Sequence, residues 1–338
     1  MPQLDIGVDL GTASVVIYGK GNGIVLDQPA VIAIDRSSRS ILAVGEEARR
    51  MLGRTPGNIV AMRPLQNGTV ADLNLTCLML NTFVKKVTSR RLRLFGGPRI
   101  ILSLPEGVNE VERRSITGAL FEAGARRTQL MERPIASAIG ANLKIKDATG
   151  SMIVDVGGGL TEIAVISMGR CIVRESCPFA GDQFDEAIIR YIRRKHNLLI
   201  GELTAEDLKI NIGSALERTD QLYMEVTGRN LISGLPKVMR IYSDEITEAL
   251  QDPLDKLIEA LHGVLEQTPA ELASDIFDRG VTLTGGGGQL ALLPEAIARS
   301  LDVECYLAEN PHETVARGCG QTLEHWNEFG QFLGNRRR

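Results

Sequence analysis

Apolar and polar positions alternate loosely along residues 4–10, 15–18, 24–26 and 30–34, and Gly19, Gly21 and Gly23 break the runs. Period-two runs of this length punctuated by glycine predict strands, here an antiparallel meander. Residues 36–40 form a polar turn, 41–44 a short strand and 46–52 a short helix, with Pro56-Gly57 and Arg63-Pro64 as breaks. In residues 73–87 the spacing of Leu75, Leu78, Met79, Thr82 and Phe83 predicts a core-facing helix. A strand over 99–104, a helix over 109–124, a strand over 129–131 and an alanine-rich helix over 135–143 with Pro134 at its start follow. The second half reads as a strand over 152–154 that ends in Asp155, an apolar run over 163–166, and a helix over 182–196 that turns Phe184, Ala187, Ile188, Tyr191 and Ile192 inward. A further helix is expected to open at Thr204 as its cap, with Glu206 and Asp207 in its first turn. One long helix over 244–267 with Pro253 near its start, a strand over 278–284, and helices over 290–301 and 314–329 complete the pattern.

Composition narrows the class. A length of 338 residues suggests about two domains, and 43% hydrophobic residues support real cores and exclude a disordered chain. A net charge of −4 gives no electrostatic footprint for general nucleic-acid binding, so no nucleic-acid partner is expected. The five cysteines form no CxxC pair and show no metal-ligand spacing with the four histidines, which reads as reduced thiols in a cytoplasmic protein. The first residues carry neither a basic n-region nor a long apolar stretch, so neither a signal peptide nor a transmembrane helix is expected.

Three glycine turns, each at the end of an apolar strand, carry the candidate chemistry: Asp9-Leu-Gly11-Thr12-Ala13, Asp155-Val-Gly157-Gly158-Gly159, and Thr284 followed by Gly285 to Gly288. Glycines at such turns let backbone N–H groups approach a bound anion closely, and an aspartate just before them is placed to hold a metal through water. A strand-Asp-glycine stretch is also an ordinary hairpin turn, and that reading stands beside the phosphate one for any single copy. The repetition at Asp9 and Asp155, about half a chain apart, suggests two similarly built domains that face each other across a cleft. Residues 85–95, KKVTSRRLRLF, place five basic residues around Leu92, Leu94 and Phe95. Two readings fit: a basic loop with apolar tips suited to an anionic membrane, or a helix C-terminus with cations in its last turns.

The set of three turns, with the Glu-Arg-Pro helix start between the first two, resembles the actin, Hsp70 and sugar-kinase superfamily. Within it the chain is most similar to the MreB-type bacterial actins over nearly its whole length. DIGVDLGTA at 5–13, PAVIAID at 29–35, VERRSI at 111–116, AGDQFDEAI at 180–188, SGLP at 233–236, SDIFDRGVTLTGGG at 274–287 and ENPHETVARGCG at 309–320 carry the resemblance. It implies an α/β, actin-like (ribonuclease H-like) fold. Domain I would take 1–145 and 315–338 with an insertion at about 35–72, and domain II 146–314 with an insertion at about 182–245. It also implies ATP (or ADP) with Mg2+, and polymerisation into filaments of paired protofilaments on the inner face of the cytoplasmic membrane. These filaments organise wall synthesis in rod-shaped cells, with cell-wall elongation proteins as partners. Carried over by residue, Gly11, Thr12, Ala13, Gly157, Gly158 and Gly159 would hold the phosphates. Asp9 and Asp155 would order the metal and its waters; Asp182, Glu206, Lys209, Gly285, Gly286 and Gly287 would meet the nucleoside; and Leu94 and Phe95 would enter the membrane.

Two departures touch hydrolysis. The family has a carboxylate just before the proline at 134 to position the attacking water; here it is Arg133, which cannot accept a proton, with Glu132 next to it as a substitute that need not face the same way. The family has threonine at 160, and Leu160 offers no hydrogen bond. Either hydrolysis survives through Glu132, or the chain binds ATP and splits it slowly or not at all, at most as a slow ATPase. Ser14 replaces a common asparagine without a clear consequence. A divergent paralogue that regulates or copolymerises with another bacterial actin, and a small-molecule kinase of the same superfamily, are the alternatives. An Hsp70-type chaperone would need a peptide-binding domain after the last helix.

Overall fold

The computed structural model describes residues 5–88 and 96–333. Two five-stranded sheets dominate it, and they have the same topology. In the first, Ile6–Leu10 lies centrally. Ser14–Gly19 and Gly23–Pro29 continue antiparallel on one side of it, while Arg99–Ser103 and then Arg127–Met131 run parallel on the other. In the second, Ser151–Val156 is central, Thr161–Ser167 and Arg170–Cys177 continue antiparallel, and Val281–Thr284 and Cys305–Leu307 run parallel. Both central strands are buried along their full length, as expected of strands covered on both faces.

The helices Arg133–Gly140 and Thr314–Glu324 pack between the two sheets, in a core with Ile101, Ile153, Ala164 and Ile166. Their close approach depends on glycine. A Cβ on Gly318 would overlap the carbonyl oxygen of Ala136, and one on Gly140 that of Thr314. Separate cores lie on the outer faces. Phe83, Met79 and Leu80 fill the first, and Phe184, Ile188 and Leu257 fill the second.

Each half also carries a small three-stranded sheet. Ile32–Asp35 pairs with Ile41–Val44 and Ile59–Met62, and Tyr223–Asn230 with Leu198–Leu199 and Pro236–Tyr242. Ile32–Asp35 therefore leaves the meander to which its alternation assigned it. The chain turns at Ala30, whose N–H bonds to Ala13, and the strand becomes the centre of the small sheet.

Local signals explain most element starts. Asp72 caps Leu73–Val87 by accepting from Leu75 N–H at 3.0 Å, and Asn109 with Glu112 forms a reciprocal capping box on Glu110–Glu122. Other expectations need correction. Leu73–Val87 buries Leu80 and Val84 with Met79, while Leu78 is exposed. The helix placed at Thr204 starts earlier, as Glu202–Ile212 with Gly201 at its cap, so Thr204 lies within its first turn and Glu202 supplies the acid there. Pro253 stands well inside Ser243–Glu266. Asp278 and Arg279 end a helix, Ala270–Arg279, and the strand begins only at Val281 after Gly280. The helix over 290–301 is confined to Leu293–Leu301, and the last helix breaks at His325 into Thr314–Glu324 and Trp326–Phe329. All five cysteines are free thiols, and among the described residues no helix is long and apolar enough to cross a membrane.

Candidate functional site

The two central strands end in matching hairpins. Leu10 pairs with Val15 and Val156 with Thr161, and inside each turn the Gly11 N–H donates to Ser14 and the Gly157 N–H to Leu160, both at 3.0 Å. Asp9 is thereby the counterpart of Asp155, Thr12 and Ala13 of Gly158 and Gly159, and Ser14 of Leu160. The turns touch across the interface of the two halves. A Cβ on Gly158 would stand 2.5 Å from that of Ala13, so no larger residue fits there. The helix Gly181–His196 starts on the second turn, where the N–H groups of Gly181 and Asp182 donate to the carbonyls of Gly157 and Gly158 at 3.1 and 2.6 Å.

A cavity of about 470 Å³ lies between the halves. It brings together Asp9, Gly11, Thr12, Ala13, Arg133, Asp155, Gly157, Gly158, Gly159, Leu160, Asp182, Glu206, Lys209, Gly285, Gly286 and Gly287. Three of the sequence candidates are not among them. Glu132 points outwards, its side chain half exposed and 3.9 Å from Arg174, and Leu94 and Phe95 lie outside the described residues.

On the side of the cavity assigned to the nucleoside, two arginines reach over from the first half. Arg63 donates to Asp182 at 2.7 Å and Arg49 to Glu206 at 2.6 Å. Lys209 bonds the Gly181 carbonyl at 3.0 Å and pairs with Asp185 at 2.8 Å. Burial raises the carboxyl of Asp182 above its ordinary range against the pull of Arg63, and pushes that of Asp185 up to about 6 against the pull of Lys209. Sequence reasoning missed Arg49, Arg63 and Asp185. Asp185 was within reach, because it follows Asp182 by three residues on a helix and so shares its face.

The side assigned to the phosphates is organised by Arg133, the first residue of its helix. Its side chain is 13% exposed and aims into three carboxylates. The guanidinium donates to Asp9 Oδ1 and, at 3.3 Å, to Asp9 Oδ2; Nε donates to Asp155 Oδ2 at 2.7 Å and stands 3.2 Å from Glu162 Oε2. The other oxygen of Glu162 accepts the N–H of Glu106 at 2.9 Å. Glu162 was also missed, although hairpin pairing places it directly opposite Asp155 on the same face. A cation at a helix N-terminus opposes the helix dipole, and these acids offset that cost. They hold the guanidinium charge firmly, raising its pKa well above the usual arginine value even though burial works the other way. Burial raises Asp9, with Arg133 opposing and Asp155 adding, and pushes Glu162 up to about 8.

A hydrated magnesium between Asp9 and Asp155 does not fit this arrangement. Of their four carboxylate oxygens Arg133 engages three, and Asp155 Oδ1 alone lacks a donor. Waters on the ion would have to bond to the oxygens that the guanidinium already holds, next to a fixed positive charge. Leu160, for its part, meets the chain from the other half: a Cβ on Gly68 would stand 2.9 Å from its Cδ2, while the Gly68 N–H donates to Thr12 at 3.1 Å. The position carries an apolar contact across the cleft.

Comparison with known proteins agrees with this architecture. The family described as MreB/Mbl protein matches residues 3–331. The cell shape-determining protein Mbl of Bacillus cereus is 47% identical over 95% of this chain and 96% of its own length. The cell shape-determining protein MreB of Escherichia coli is 48% identical over 95% of this chain and 93% of its own. Among solved structures, MreB5 of Spiroplasma citri bound to AMPPNP superposes with a TM-score of 0.91 at 32% identity, over 98% of this chain and 99% of that one. A MamK double helical filament shares the fold, with a TM-score of 0.77 at 19% identity over 96% of this chain. The actin-like fold is thus shared with solved relatives, and the chain belongs to the MreB/Mbl family.

Proposed function

We propose that this chain binds ATP or ADP in the cavity between its halves and polymerises into filaments on the inner face of the cytoplasmic membrane, where it helps set rod shape by organising wall synthesis. The observation that carries the reading is the pair of matched glycine turns meeting over one cavity that also holds Asp182, Glu206 and Lys209. The Spiroplasma citri relative bound to AMPPNP and to ADP supports the nucleotide part. Self-association is supported by an apolar tip on the second small sheet, where Ile232, Leu235 and Val238 are 82%, 65% and 62% exposed.

Holding, rather than splitting, is the chemistry this site favours. The two positions that resemblance assigns to the attacking water hold no acceptor: Arg133 only donates, Leu160 does neither, and Glu132 is outside the cavity. Of the carboxyls beside Arg133, Asp9 and Asp155 are engaged by its guanidinium, and burial pushes Glu162 up to about 8, so that it keeps its proton at neutral pH. The reading is tested by electron microscopy of the full chain with ATP on anionic lipid, alongside phosphate release. Membrane-bound filaments with little phosphate release are expected. Dispersed monomers with bound ATP would overturn the filament part, and release as fast as in a relative with glutamate and threonine at positions 133 and 160 would overturn the part concerning hydrolysis.

A further inference from the structure

The cavity contains a positive charge that is part of the chain and sits between the two halves. We propose that Arg133 takes the place of a divalent cation, so that this chain binds nucleoside di- and triphosphates without metal. The inference rests on the nucleotide reading of the cavity given above.

Position is the first argument. The guanidinium joins Asp9, on the central strand of one sheet, to Asp155, on the central strand of the other, and it lines the same cavity as both glycine turns. A bridging ion would have to do the same: tie the two walls together and face the phosphates. Charge is the second argument. An acidic side chain at 133 would add a negative charge beside the carboxyl groups of Asp9, Asp155 and Glu162. Arginine adds a positive charge there instead. The difference is two positive charges, which is the charge of one divalent ion. Donor geometry is the third. A guanidinium has five N–H donors in a fixed fork, and the contacts to Asp9 and Asp155 use three of them. Two are left for phosphate oxygens. Such a counter-charge cannot be removed by chelation or diluted away, and it is ordered by the fold before the ligand arrives.

The test is calorimetric titration of ADP and of ATP into the full chain, once with magnesium chloride and once with EDTA. The wild type is expected to change its affinity by less than about threefold between the two conditions. Arg133→Glu is expected to lose about tenfold or more in EDTA and to regain it with magnesium. A wild-type affinity that falls about tenfold or more in EDTA would overturn the proposal while leaving the nucleotide reading intact. Absence of binding under both conditions would overturn the two together. Should Arg133→Glu fail to fold, Arg133→Gln frees the same aspartates without adding a charge. Magnesium alone, with no nucleotide, should then raise the melting temperature of Arg133→Gln and leave that of the wild type unchanged. A wild type stabilised by magnesium as much as the variant is the opposing result.

Discussion

On the proposed nucleotide reading, Arg133 and Leu160 decide what the site does with a terminal phosphate. On that reading, Arg133→Glu with Leu160→Thr returns an acceptor and a hydroxyl to the place proposed for the attacking water. General-base catalysis contributes about 10²- to 10⁴-fold, so phosphate release by the double variant should rise at least about tenfold over the wild type. Steady-state release at saturating ATP with magnesium measures this, and an unchanged rate would count against the assigned positions. Glu162 carries a second prediction, on pH. Its pKa is near 8 in the folded protein against an ordinary value of 4.5. Between those values the folded chain binds the extra proton, so the contribution of Glu162 to stability falls as pH rises through this window and is fully lost only above it. Glu162→Gln keeps an acceptor for the Glu106 N–H and removes the titration. Its melting temperature should gain on the wild type between about pH 5 and about pH 9, and a difference that stays constant would show that Glu162 titrates normally.

At the scale of elements, the crossing of Arg133–Gly140 and Thr314–Glu324 fixes where Arg133 points. Gly318→Ala would force a Cβ into the carbonyl of Ala136, so the helices must separate. Overpacking of this kind costs about 1–3 kcal/mol. Gly118→Ala, on a helix surface with open space around it, is the control and should be neutral or stabilising by up to about 1 kcal/mol. Thermal unfolding of both variants separates the close approach from a general preference for glycine. The glycine turns and their aspartates were legible in the sequence because a turn is a local pattern, and the matched hairpins followed from it. The arginines that close over the side assigned to the nucleoside were not, since Arg63 and Arg49 meet partners 119 and 157 residues away, and no spacing rule connects such positions. The strands Tyr223–Asn230 and Pro236–Tyr242 escaped for another reason. They cover little core, so their polar residues and exposed apolar ones read as an insertion without elements.

For the whole molecule, the proposed assembly and membrane attachment would be linked through numbers of contacts. Lys85 and Lys86 are exposed on the last turn of Leu73–Val87, next to the basic segment that ends in Leu94 and Phe95. A basic residue near an anionic surface contributes about 1 kcal/mol, and two apolar side chains would insert only shallowly. One subunit is therefore expected to bind weakly, whereas a filament would present many such segments at high effective concentration, and avidity would multiply the attachment. Two variants separate these contributions. Leu94→Ser with Phe95→Ser should keep ATP-dependent pelleting and lose about tenfold in binding to anionic vesicles. Ile232→Lys places a charge on the apolar tip of the second small sheet and should abolish pelleting. It should also weaken vesicle binding by a similar factor, although the basic segment is untouched. Co-sedimentation with and without vesicles, at one protein concentration, reads both effects. Full vesicle binding by a non-pelleting Ile232→Lys chain would show that single subunits hold the membrane unaided, and the avidity argument would then fail.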